Sequence, residues 1–104
     1  MEKVIRDGKV AVLYSPGFGA GWFTWNTGNP QCIFHPSIVA LVENDEKEKI
    51  TDELIQEILG CEYFYSGGAE DLKIEWVKVG TAFKIDEYDG YESISTVEDL
   101  ILIA

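Results

Sequence analysis

Between Ser15 and Asn26 the chain reads Ser15-Pro16-Gly17-Phe18-Gly19-Ala20-Gly21-Trp22-Phe23-Thr24-Trp25-Asn26, so three glycines and four aromatic residues share twelve positions. Backbone without a Cβ lets another group come close, and aromatic rings offer flat faces to a base or another ring. Together they read as a recognition loop. Gly17, Gly19 and Gly21, with Ala20 among them, would allow backbone approach to a ligand. Phe18, Trp22 and Trp25 would wall or stack on it, and Asn26 would bond the polar edge of a base or a ribose. The competing reading is structural, with the glycines making room for Trp22 and Trp25 in the core. The spacing is neither the dinucleotide fingerprint, which needs a long helix and a βαβ unit, nor a Walker loop, which needs Gly-Lys-Ser/Thr.

A second glycine-rich motif is Tyr65-Ser66-Gly67-Gly68-Ala69-Glu70-Asp71-Leu72. Gly67, Gly68, Glu70 and Asp71 read as a second ligand loop, or as a turn carrying solvated acids. Adjacent carboxylates usually point apart and no third ligand is evident, so no metal site is expected. The acidic stretch Asp86-Glu87-Tyr88-Asp89-Gly90-Tyr91-Glu92 reads as a charged hairpin tip, with acids and tyrosines at the mouth of a pocket as the functional version. Catalysis needs a nucleophile with its base, or a convergent acid pair. The single histidine, His35, precedes Pro36 at a helix start, where a helix-start or packing role suits it better than catalysis. No catalytic residue and no cofactor is therefore expected. An enzyme working through Glu70, Asp71 or Glu87 is the weakest of three readings.

These motifs need elements to hold them. Lys3–Arg6 and Lys9–Tyr14 flank Asp7-Gly8, a strong hairpin signal. One helical turn is expected near Trp22–Trp25. A helix is predicted over His35–Glu43, with Ile38, Leu41 and Val42 on one face. A second begins after Thr51 as N-cap, with Asp52 and Glu53 in its first turn, an Ile50–Ile55 hydrophobic staple, and Gly60 as its stop. The second half reads as strands: Cys61–Tyr65, Leu72–Val79 with a phase shift that predicts a bulge or a strand covered on both faces, Ala82–Tyr88, and Tyr91–Ser95 after Asp89-Gly90. Val97–Ile103 fits either a strand or a short helix. The expected fold is α+β: one domain over residues 1–104, with a mostly antiparallel sheet of five to seven strands and two helices inserted after an N-terminal hairpin.

Composition narrows the partners. The chain has 104 residues, 46% of them hydrophobic, and 19 acidic against 8 basic residues give a net charge of −11. Such a charge argues against non-specific binding to nucleic acid or anionic membranes. A small anionic ligand stays possible, because a few lysines and backbone N–H groups can hold one phosphate; Arg6 or Lys84 would have to supply that contact. The acidic face also fits docking on a basic protein as a nucleic-acid mimic. Cys32 and Cys61 are too far apart for a CxxC motif and are expected as reduced thiols in a cytoplasmic protein. Met1–Arg6 lacks the apolar stretch of a secretory leader, and no run approaches the ~20 residues of a membrane helix.

Four motifs in order carry a resemblance: Ser15-Pro16-Gly17-Phe18-Gly19-Ala20-Gly21-Trp22 with Trp25-Asn26; Phe34-His35-Pro36; Gly67-Gly68-Ala69-Glu70-Asp71-Leu72 with Ile74 and Trp76; and Phe83, Ile85 and Glu87-Tyr88-Asp89-Gly90. Together they resemble a family of small bacteriophage and prophage proteins, over most of the chain. The resemblance implies a phage origin and a place in the host cytoplasm. By analogy with phage anti-defence proteins it implies a sponge that sequesters a nucleotide-derived immune signal, of cyclic oligonucleotide or cyclic ADP-ribose type, without catalysis. Sponge sites are often shared between subunits, so a homo-oligomer is expected.

Overall fold

A computed structural model describes residues 2–17 and 21–96. Two antiparallel sheets frame the molecule. In the first, β1 (Ile5–Arg6), β2 (Lys9–Tyr14) and β3 (Lys73–Lys78) lie in that order. In the second, β4 (Phe83–Tyr88) pairs with β5 (Tyr91–Thr96). The β1–β2 hairpin turns at Asp7-Gly8 and the β4–β5 hairpin at Asp89-Gly90, all four with positive φ, as the tight primed turns require. Two helices, α1 (Pro36–Glu43) and α2 (Asp52–Leu59), lie between β2 and β3. The α+β reading with an N-terminal hairpin therefore holds, but the strands divide between two sheets instead of forming one.

The helix ends follow their sequence signals. His35 is the N-cap of α1, its Nδ1 accepting from the Ser37 N–H at 3.1 Å, with Pro36 in the first turn. Thr51 Oγ1 accepts from the Leu54 N–H at 3.2 Å, and Gly60 ends α2 in the left-handed region at φ 66°. Ile50 and Ile55, the staple pair, are both buried. They join Ala11, Leu13, Ile38, Val39, Phe64 and Leu72 in the core.

Of the two alternatives for the phase shift in Leu72–Val79 the second holds, and one other strand expectation fails. Strand β3 pairs with β2 residue by residue from Lys73↔Tyr14 to Lys78↔Lys9, without a bulge. The phase shift instead reflects cover on both faces: Val77 is buried on one, and Ile74 and Trp76 are half-buried on the other. Cys61–Tyr65 forms no strand; its last residue is held by a side chain in place of a neighbouring strand, as described below. The Val97–Ile103 expectation lies outside the described residues.

Candidate functional site

Three connected devices build the site. The first centres on Glu92, a wholly buried residue of β5. Its Oε1 accepts from the Ser15 N–H at 2.9 Å. Its Oε2 accepts from the Trp22 N–H, the Thr24 N–H and the Thr24 hydroxyl, each at 2.9 Å. The Glu92 N–H donates in turn to the Ser15 carbonyl at 2.9 Å. A carboxylate is an acceptor only, and four donors surround this one. Glu92 thus clasps both ends of the glycine-rich loop and ties β5 to the end of β2.

The second device is Asn26. Its Nδ2 donates to the Trp22 carbonyl at 2.7 Å and the Tyr65 carbonyl at 2.8 Å, and its Oδ1 accepts from the Tyr65 N–H at 2.9 Å. The amide engages both backbone groups of Tyr65 as a strand neighbour would, which is why Cys61–Tyr65 needs no ladder. The third device joins the two glycine-rich segments. Ser15 Oγ donates to the Gly68 carbonyl at 2.8 Å. A Cβ on Gly68 would collide with the Gly21 carbonyl and lie 2.9 Å from Ser15 Oγ. Asp52, in the first turn of α2, accepts from the Ser66 N–H at 2.8 Å and the Ser66 hydroxyl at 2.6 Å. Those bonds favour its charged form and hold the Asp52 carboxyl below its ordinary value.

On this frame stand three exposed rings. Trp25 is 65% exposed, Tyr63 81% and Tyr65 42%, and together they line an open notch of about 330 Å³. Trp25 and Tyr65 meet edge to face, centroids 5.9 Å apart. Tyr65 folds back over Gly67, where a Cβ would sit 2.6 Å from Tyr65 Cε2. Gly67 is therefore what lets that wall lie down. Among the described residues no cation lines the notch.

The expected site residues divide sharply. Phe18, Gly19 and Ala20 lie outside the described residues. Trp25 lines the notch, and Gly67 lies beneath its Tyr65 wall without lining it. Trp22 does not: it is fully buried, stacks edge-on with Phe64 at 5.0 Å, and donates from Nε1 to the Cys32 carbonyl at 3.0 Å. It is a core residue, with no face left for a ligand. Asn26 is buried with its amide spent on backbone, so it builds the site instead of reading a base. Gly17, Gly21 and Gly68 admit other parts of the chain: Gly17 lies against Asp71, Gly21 against Thr24 and Glu92, and Gly68 against Gly21. Glu70 is exposed and Asp71 half-buried, both in the 3-10 turn Ala69–Asp71. Glu87 closes the β4–β5 tip by accepting from the Gly90 N–H. Neither suggested phosphate contact lines the notch. Arg6 is paired with Glu43, and Lys84 with Asp86 at 3.5 Å.

Motif reading passed over Tyr63; it placed Tyr65 at the head of the second glycine-rich motif without a role, and Glu92 in the acidic stretch at a hairpin tip or pocket mouth, where it is instead a buried clasp. The signal for Glu92 is weak: it is in phase with Ile94 on β5, while Tyr91, Ser93 and Ser95 take the other phase. Among the described residues no group of three or more His, Cys, Asp or Glu side chains is placed to hold a metal. Burial pushes the Cys32 thiol up to about 12, so it carries almost no thiolate at neutral pH. No helix among the described residues is long and apolar enough to cross a membrane. No family model, curated protein or solved structure matches the chain.

Proposed function

We propose that the chain is a non-catalytic binding protein that takes a flat ring of a nucleotide-like ligand into the Trp25–Tyr63–Tyr65 notch. The observation that carries this reading is the convergence of three exposed rings on a backbone fixed by Asn26. Exposed aromatic side chains tie up little entropy when they bind, and each base stacked on such a ring contributes about 1–3 kcal/mol. The bare aromatic lining suits a base or sugar ring and leaves the phosphates to solvent or to a second subunit. Sequestration of a nucleotide-derived signal by a phage protein is the biological role that fits both this chemistry and the motif resemblance.

The net charge of −11 favours one rival, docking of the same exposed rings on a basic host protein. A thermal-shift screen separates the two. Cyclic dinucleotides, cyclic trinucleotides, ADP-ribose derivatives and mononucleotides are the ligands to test. A hit lost in Trp25→Ala supports nucleotide binding. A flat screen, with salt-sensitive and Trp25-dependent binding of a basic protein, supports the rival.

A further inference from the structure

A second surface lies on the three-stranded sheet, and it shares no residue with the aromatic notch. Lys9 stands directly opposite Lys78 in the β2–β3 ladder, and Arg6 opposite Lys9 in the β1–β2 ladder. Residues directly opposite project to one face, so three cations form a row roughly 10 Å long across the strands. Like charges in that relation destabilise a sheet. The chain has only 8 basic residues against 19 acidic ones, yet neither Lys9 nor Lys78 has an ion-pair partner among the described residues. Arg6 is occupied: Nη2 donates to Glu43 at 2.9 Å, and the guanidinium lies 5.4 Å from the centroid of the Trp76 ring.

Trp76, two residues from Lys78, projects to the same face. Open notches of about 300 and 210 Å³ flank it. Lys9 lines both, with Asp7 in the first and Lys78, Thr81 and Glu75 in the second. We propose that this row is an anion site, in which Lys9 and Lys78 hold the phosphoryl groups of a phosphorylated small molecule beside Trp76. A polyanion placed between the two lysines turns their repulsion into a shared attraction. Lys9 and Lys78 stand on neighbouring strands and can each meet one phosphoryl group, so di- and triphosphates are preferred to a single phosphate despite Asp7 and Glu75 nearby.

The test is calorimetric and NMR titration of the whole protein with inorganic tripolyphosphate at low salt. This probe has no ring, so it reports on the row and not on the aromatic notch. The expected result is saturable binding that weakens with salt, with amide shifts centred on Lys9 and Lys78. Lys9→Gln/Lys78→Gln should weaken it at least about ten-fold and melt no lower than the wild type without ligand. Should that double variant fail to fold, Lys78→Gln alone is expected to weaken binding measurably. Trp25→Ala should leave tripolyphosphate binding unchanged, even if nucleoside binding at the notch is lost. Absence of binding at millimolar tripolyphosphate, or equal binding by a folded lysine variant, would overturn the proposal.

Discussion

At the scale of single residues, the centre of the molecule is a buried carboxylate surrounded only by donors. Glu92→Gln replaces one oxygen with an NH2 group that must face either the Ser15 N–H or the Trp22 and Thr24 donors. Losing a charged acceptor while burying unmatched donors should cost about 3 kcal/mol, read as a lower urea midpoint. Asn26→Ala strands both backbone groups of Tyr65 and should cost about 2 kcal/mol. Trp25→Ala, at an exposed ring, should change stability by no more than about 0.5 kcal/mol while removing ring binding. The sequence made Trp25 and Asn26 conspicuous but not their different fates. Both follow Trp22 in a polar, aromatic loop, and only the position of Tyr65, 39 residues beyond Asn26, turns one inward and leaves the other exposed.

At the scale of elements, local signals were legible wherever the interaction was local. Thr51 and Gly60 mark α2, and Asp7-Gly8 and Asp89-Gly90 mark the hairpins, because cap and turn energies are decided within a few residues. Cys61–Tyr65 was misread because its apolar, aromatic composition is shared by strands and by chain pinned to a distant side chain. The link between α2 and the Ser66 turn makes a pH prediction. The Asp52 carboxyl sits below its unfolded value of about 3.9 because Ser66 bonds its charged form. Its contribution is present above that value and fades as pH falls through the lower, folded one. The stability gap between wild type and Asp52→Asn, measured by urea unfolding, should therefore be widest near neutrality and narrow toward about pH 2. Gly68→Ala tests the junction of the two glycine-rich segments. Its Cβ meets backbone, which cannot swing aside, so a loss of about 2 kcal/mol or more is expected.

At the scale of the whole molecule, composition and periodicity were enough for the α+β class. They could not show that the strands split into two sheets, or that one acid on β5 joins them, because such pairings depend on contacts far apart in sequence. The same limit hid the purpose of the glycines. Gly17, Gly21 and Gly68 pack loop against loop, and the ring cluster of Trp25, Tyr63 and Tyr65 stands exposed beside them. A net charge of −11 also implies self-repulsion across the fold. Moderate salt should raise the melting temperature of the free protein, while ring binding at the uncharged notch should depend on salt far less than anion binding at Lys9 and Lys78.

The most direct test of the central claim is a nucleotide thermal-shift titration of wild type and Trp25→Ala in parallel. A ligand at about 100 times its Kd stabilises by about 2.7 kcal/mol, which moves the midpoint of a domain this size by several degrees. The account predicts such a shift in the wild type and its loss in a variant that melts at the wild-type temperature without ligand. A shift that survives Trp25→Ala, or no shift with any nucleotide or nucleoside, would contradict it.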